Sequence, residues 1–399
     1  MHCPGFRFGA VSAGIKASGA LDLGMIVADA PAACAAVFTS NEVKAAPVLV
    51  SQAAIARARG VMSAVVVNSG GANACTGPGG LDDARRMAAV LGAVVGVPAG
   101  RVAVASTGVI GRRLPMDRVE AGIAAAAAGL DAGGFERFAT AILTTDRAAK
   151  MARREIGIGG KPVTLLGCTK GAGMIAPDMA TTLTFVVTDA VVAPARLRTS
   201  LRRAAADTYN AITVDGDTST NDMILLMASG AAGHRALAGK DAARFDAGLT
   251  ELLDELARAL MRGGEGVHHV VTVEVRGART AAAARRVART IANSPLVKTA
   301  IAGADPNWGR FLSAIGNARV GVKPERVELW FDDVRFVAGG VRARGIRADG
   351  ADLEARVRTV MQRPEYTVRV DLRAGKAEAR YLACDLSHEY VSINADYTT

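Results

Sequence analysis

Aromatic residues are scarce in this sequence. They make up 4% of it although 50% is hydrophobic, so the apolar content is mostly Ala and Val. Cysteine is scarce as well: Cys3, Cys34, Cys75, Cys168 and Cys384 are odd in number, far apart and never in a CxxC pair. That pattern argues against a disulfide scaffold and a zinc site, and it fits a reducing cytosol. Among the few histidines, His268 and His269 are adjacent. In a strand such neighbours face opposite sides, and no other histidine stands at metal-ligand spacing, so a metal enzyme is not indicated. Long apolar runs are missing too. The longest uncharged stretch, Gly60–Leu81, is broken by Ser, Asn, Gly and Pro and reads as a strand entering a loop, not a membrane span. The first residues, Met1-His2-Cys3-Pro4-Gly5-Phe6-Arg7, have no basic stretch followed by an apolar one, so the expected location is cytoplasmic.

Glycine and basic charge are plentiful: 44 of 399 residues are Gly, and the net charge is +10. The length suits two domains or one large one with a sizeable core. The charge permits nucleic acid or an anionic ligand as partner. However, Arg196, Arg198, Arg202 and Arg203 share one predicted helix without interleaved aromatics, so they read as a solvated face and no nucleic-acid partner is expected. Predicted strands (Ser63–Asn68, Arg101–Ser106, Val163–Cys168, Thr182–Thr188, Met223–Ala228, His268–Val275) alternate with predicted helices (Leu81–Val95, Met116–Gly129, Pro194 to about Tyr209, Asp241–Arg262). Toward the end come strands Val327–Phe331, Tyr366–Leu372 and Ala377–Ala383, with helix Ala351–Gln362 among them. The class is α/β or α+β, with a smaller C-terminal domain from about residue 280.

Two motifs fail on inspection. Gly233–Lys240 has the wrong spacing for a phosphate loop and is followed by Asp241. Asp215–Asp222 is similar to a calcium loop, but Thr220 and Leu226 stand where Gly and Glu are needed, so it reads as a polar loop packed near a site. The most informative stretch is Lys170-Gly171-Ala172-Gly173-Met174-Ile175-Ala176-Pro177-Asp178-Met179-Ala180-Thr181-Thr182-Leu183. It sets a Gly- and Pro-containing turn before a threonine and a β-prone run. Breaking the Ala180–Thr181 bond gives Thr181 a free α-amine beside its hydroxyl, which is a nucleophile and its base in one residue. Further polar, Gly-rich interruptions are Ser106-Thr107-Gly108-Val109-Ile110-Gly111, Gly263-Gly264-Glu265-Gly266, Asp305-Pro306-Asn307-Trp308-Gly309-Arg310 and Ser392–Thr399.

Taken together and in order, these segments resemble the ornithine acetyltransferase (glutamate N-acetyltransferase) family of arginine biosynthesis. The similarity starts at Gly5-Phe6-Arg7 and runs through Val37-Phe38-Thr39-Ser40-Asn41, Asn68-Ser69-Gly70, Asn73-Ala74-Cys75-Thr76-Gly77, Val214–Ser219 and Leu296-Val297-Lys298-Thr299-Ala300. The resemblance implies self-cleavage at Ala180–Thr181 into chains 1–180 and 181–399. It implies a ping-pong transfer of acetyl from N2-acetylornithine through Thr181 to glutamate. An αββα layered, N-terminal-nucleophile-like sandwich and a heterotetramer of two chains of each kind are implied as well. By the same carry-over, Thr107 (side chain) and Gly108 (backbone N–H) form the oxyanion hole, and Thr107, Lys170, Thr181, Glu265, Asn394 and Thr399 bind substrate. No bound cofactor is implied, and acetyl-CoA stands open as a second donor.

The chain departs from the family pattern at Gly71, Asp178 and Thr182, where Asn, Asn and Met are usual. It also has Val267-His268-His269 where Ala-Thr-Lys typically follows the Gly-Glu-Gly acid. The last change lies beside Glu265 and bears on which amine accepts the acetyl group. The alternatives are a threonine-nucleophile amidohydrolase or aminopeptidase, with water as acceptor, and a secondary-metabolism acetyltransferase with another amino-acid acceptor.

Overall fold

A computed structural model describes residues 1–176, 182–343 and 352–396. The chain divides into two compact units. Of the described residues, one comprises Met1–Asn210 and Asp217–Leu260, and the other comprises Ala211–Gly216 and 261–396.

The strands of the first unit are β1 (Phe6–Val11), β2 (Leu23–Phe38), β3 (Val61–Gly71), β4 (Val102–Val109), β5 (Lys150–Ile158), β6 (Lys161–Lys170), β7 (Leu183–Thr188) and β8 (Met223–Ala228). Its helices are α1 (Ala46–Arg57), α2 (Gly77–Val95), α3 (Met116–Ala128), α4 (Phe135–Ala141), α5 (Pro194–Asp207) and α6 (Gly239–Arg262). The strand order is β4-β3-β2-β8-β7-β6-β5, with β1 on β2. Strand β2 makes this one sheet into two layers. Its first half pairs with β1 and β3, its second half pairs with β8, and the β3 register breaks between Val27 and Ala32.

Side-chain parity shows the result. Ile26, Val65, Val67, Ala103 and Ala105 from one half share a core with Leu166, Cys168, Phe185, Leu225 and Met227 from the other. Their neighbours Met25, Val27, Val66 and Val104 face α2 and α3 through Met87, Leu91, Val119 and Ile123. On the far side α6 closes on β5 and β6, where Gly248 meets Ile156 and Leu165. The layers therefore run helix, sheet, sheet, helix, as expected. Burial on both faces explains why these strands are near-continuous apolar runs.

Phe138 from α4 lies in the core between the layers, its ring 5.4 Å from Phe185 in an edge-on arrangement. Phe138→Ala is expected to cost about 3–5 kcal/mol through lost burial and the cavity left behind. A urea unfolding curve checks this, as a lowered midpoint at unchanged slope.

The second unit is built from β9 (Val270–Ala278), α7 (Ala281–Ala292), α8 (Pro295–Ala302), α9 (Trp308–Asn317), β10 (Glu328–Phe331), β11 (Val334–Ala338), β12 (Val341–Arg342), α10 (Leu353–Met361), β13 (Glu365–Asp371), β14 (Ala377–Cys384) and α11 (His388–Asp396). Its sheet order is β12-β11-β10-β13-β9-β14, with β9 and β13 parallel. Val271, Val273 and Val275 on one face of β9 join Val287 and Ile291 of α7 and Phe311 of α9 in its core.

Several elements differ from their expected bounds. Strand β4 runs on through Thr107 and Gly108 to Val109, because parallel pairing with β3 continues to Gly71. His268 and His269 precede β9 and do not belong to a strand. The polar terminal stretch is helical to Asp396.

Candidate active site

Parallel pairing places Gly108 of β4 opposite Gly70 of β3, where the register slips at Gly70 and Gly71. Gly108 has φ +128°, and a Cβ there would lie 2.4 Å from the Gly70 carbonyl carbon and 2.6 Å from the Gly71 nitrogen. Only glycine fits. Asn68 fastens the two strand ends, accepting from Ser106 Oγ at 2.6 Å and donating to Gly71 O at 2.9 Å. Thr107 is buried, and its hydroxyl has no hydrogen-bond partner among the described residues, so a donor remains for a ligand. Gly108→Ala is expected to displace this backbone; on the expectation that the Gly108 N–H is an oxyanion donor, acyl transfer falls by about 10²–10³-fold, the usual loss when such a donor is removed. Steady-state kinetics on the purified variant, with circular dichroism to verify folding, provides the check.

Lys170 ends β6. The sequence alone allows a solvated loop lysine there, but the side chain is 4% exposed. Its ammonium has one hydrogen bond, to Thr144 Oγ1 at 3.4 Å, and no carboxylate at ion-pair distance among the described residues. Burial pushes its pKa down, against the pull of Asp146 and Asp222. Around it, Lys150 pairs with Asp146, and Asp146 Oδ1 also accepts from Gly171 N at 2.9 Å. Burial works against the Asp146 charge, yet Lys150 and Lys170 hold its carboxyl below the usual range. Lys16 packs on Gly70 and donates to Leu21 O at 2.8 Å, and burial lowers its pKa too.

Two residues from the polar run Asp215–Asp222 reach this region. The Asn221 side-chain amide donates to Ala72 O at 2.7 Å and to Ser106 O at 2.8 Å. Asp222 Oδ1 accepts from Thr182 N at 2.8 Å, while burial pushes its carboxyl well above the ordinary value. Asn221 and Asp222 thus link Ser106, directly before Thr107 and Gly108, to Thr182, and the Asp222 charge acts on Lys170. Ala180 and Thr181 lie outside the described residues. The sequence reading did not single out Asn221, Asp222, Asp146 or Lys150. The signal for the first two was the polarity of the 215–222 run just before an apolar strand.

In the second unit Asn394 of α11 donates to Glu265 Oε2 at 3.1 Å and to Tyr390 O at 3.0 Å, so these two expected residues do meet. Ser387 Oγ donates to Gly266 O at 2.6 Å, and a Cβ on Gly266 would lie 2.3 Å from Tyr390 N. The backbone N–H groups of His268 and His269 both reach Asp385 Oδ1 at 3.0 Å. Their rings diverge: His268 lies 3.2 Å from Glu389 Oε2, and His269 Nδ1 lies 2.8 Å from Arg363 O. Thr399 lies outside the described residues. Among those described, no three His, Cys, Asp or Glu side chains are grouped as metal ligands, and no helix is long and apolar enough to cross a membrane.

A family model described as the ArgJ family matches residues 7–399. The arginine biosynthesis bifunctional protein ArgJ of Geobacter sulfurreducens is 50% identical over 401 residues, covering 100% of both chains. Its namesake from Methylococcus capsulatus is 46% identical, covering 100% of this chain and 96% of its own. The crystal structure of arginine biosynthesis bifunctional protein ArgJ from Bacillus halodurans is 37% identical, with a TM-score of 0.50, across 53% of this chain and 98% of that one. With an end-to-end family match and relatives of this identity and coverage, this chain belongs to the ArgJ family.

Proposed function

We propose that the chain is a self-processing acyltransferase of arginine biosynthesis that carries acetyl from N2-acetylornithine to glutamate on Thr181. The observation that supports this best is the Lys170 ammonium, buried and without a carboxylate partner among the described residues. A buried charge left unpaired is costly and marks a place kept for an anionic group. A substrate α-carboxylate is such a group.

In the proposed maturation the Thr181 hydroxyl attacks the Ala180 carbonyl, the peptide nitrogen leaves with a proton, and water hydrolyses the resulting ester. The freed α-amine, with an ordinary pKa of about 7.7–8.0, is poised near neutrality to take the hydroxyl proton. In the first half-reaction the Thr181 oxygen attacks the acetyl carbonyl. The Thr107 hydroxyl and Gly108 N–H receive the oxyanion, and ornithine departs as the amine with the proton relayed to it. In the second, the glutamate amine attacks the acetyl ester and Thr181 leaves as the alcohol. To Glu265 and Asn394, and to Thr399, we assign recognition of the amino-acid substrate. No bound cofactor enters, and acetyl-CoA is a second donor to be tried in the same assay. The assembly expected is a cytoplasmic heterotetramer, two chains of each kind.

Intact-mass analysis after incubation with N2-acetylornithine tests the reading. Two chains, with an acetyl mass on the one headed by Thr181 and its loss to glutamate, support it. Loss of the acetyl to water alone, at a rate glutamate does not change, makes the protein a hydrolase.

A further inference from the structure

Asn221 and Asp222 are consecutive, yet they hold two different parts of the first unit. The Asn221 amide grips Ser106 O at 2.8 Å, and Ser106 is the residue directly before the Thr107–Gly108 pair. Asp222 Oδ1 grips Thr182 N at 2.8 Å, and Thr182 is the residue directly after Thr181. The backbone reinforces the second grip, where Met223 N donates to Thr182 O at 2.9 Å, and Thr39 N fixes the Asp222 backbone by donating to Asp222 O at 3.0 Å. Consecutive Cα atoms stand about 3.8 Å apart whatever the rest of the fold does, so the two grips are spaced by covalent geometry.

The cost of this arrangement is visible. Asp222 is 1% exposed, and its Oδ2 is buried with no hydrogen-bond partner among the described residues. A buried carboxyl oxygen left unsatisfied destabilises a fold, so stability alone does not account for an Asp at this position.

We propose that Asn221 and Asp222 form a positioning clamp that ties the strand end bearing the expected oxyanion donors, Thr107 and Gly108, to the peptide directly after the nucleophile. The proposal rests on the reading of Thr181 as the nucleophile. Asp222 acts through the Thr182 peptide and Asn221 through the Ser106 carbonyl. Self-cleavage and acetyl transfer both use the Thr181 oxygen in this reading, so one clamp serves both reactions. A misplacement of about 1 Å at such a centre costs on the order of 10²-fold.

The test uses the full chain and three variants, Asp222→Ala, Asp222→Asn and Asn221→Ala. Cleavage is followed by intact mass, and kcat and KM for acetyl transfer are measured on the cleaved fraction of each. Asp222→Ala is expected to slow cleavage and lower kcat by about 10²-fold each, with KM within about threefold of the parent. Asp222→Asn keeps an oxygen for Thr182 N–H and is expected to restore most of both rates. Asn221→Ala is expected to lower kcat more than it raises KM. Parental cleavage and kcat in Asp222→Ala overturn the proposal, as does an Asp222→Asn variant that folds yet is as slow as Asp222→Ala. Should Asp222→Ala fail to fold, an Asn221→Ala variant with parental kcat overturns it alone. A parent protein that is neither cut nor acetylated at Thr181 instead defeats the reading of the nucleophile itself.

Discussion

Thr181→Ala is expected to leave a single uncut chain of 41.0 kDa and to abolish acetyl transfer. Both outcomes follow from one missing oxygen. In the proposed mechanism cleavage uses the hydroxyl to attack the Ala180 carbonyl, and transfer uses it to carry the acetyl group. Loss of a nucleophile in a comparable acyl-transfer centre lowers kcat by on the order of 10⁶-fold, so the residual rate should be background. Thr181→Ser supplies the oxygen again but gives up the methyl group that restricts χ1. It is expected to be cut and to transfer acetyl, both more slowly than the parent. Intact mass after prolonged incubation and a glutamate-dependent acetyl transfer assay check the pair. A Thr181→Ala preparation that still splits at 180–181 sinks the assignment.

Lys170→Met is expected to separate stability from activity. The ammonium is buried without a carboxylate at ion-pair distance, so replacing it with an apolar chain of similar reach removes a desolvation cost and breaks no salt bridge. Its pKa is lowered by burial from an ordinary 10.5, so the unfolded chain binds this proton more readily than the folded one. The cost of the lysine is therefore full at low pH and fades as pH rises toward 10.5. The variant should match or exceed the parent in Tm near neutrality, with the difference shrinking at alkaline pH. Activity should go the other way: losing a buried cation from an anionic ligand costs about 2–5 kcal/mol, or about 30- to 5,000-fold in kcat/KM. Thermal scans across pH and kinetics with N2-acetylornithine measure the two effects. A variant that is destabilised in proportion to its lost activity contradicts the assignment.

Much of the fold was legible because the apolar strands and amphipathic helices of the first unit carry their periods openly. Strand Met223–Ala228 and helix Asp241–Arg262 needed only a pattern reading. Strand β2 was not legible: it is alanine-rich, and Ala has little intrinsic preference for strands, so pairing with β1, β3 and β8 decides its state. The end of β4 was hidden for a related reason. Thr107-Gly108 looks like a turn by composition, and only the facing Gly70 and Gly71 make it a strand. At the site, Thr107, Gly108, Lys170, Glu265 and Asn394 came from the resemblance. Asp222 and Asp146 did not, because their roles lie in contacts with residues 40 and 25 positions away.

Strands β7 and β8 come from the carboxyl side of the proposed cut, yet they lie between β2 and β6, which come from the amino side. Severing residue 180 from 181 therefore leaves two polypeptides woven through one sheet. Pulling them apart means opening two whole ladders, β2 against β8 and β6 against β7. A separate 1–180 piece lacks the middle of its own sheet, and a separate 181–399 piece holds that middle with nothing on either side. Maturation on this plan runs one way: the chain completes its weave as a single thread, is snipped last, and has no easy route to start again from the pieces.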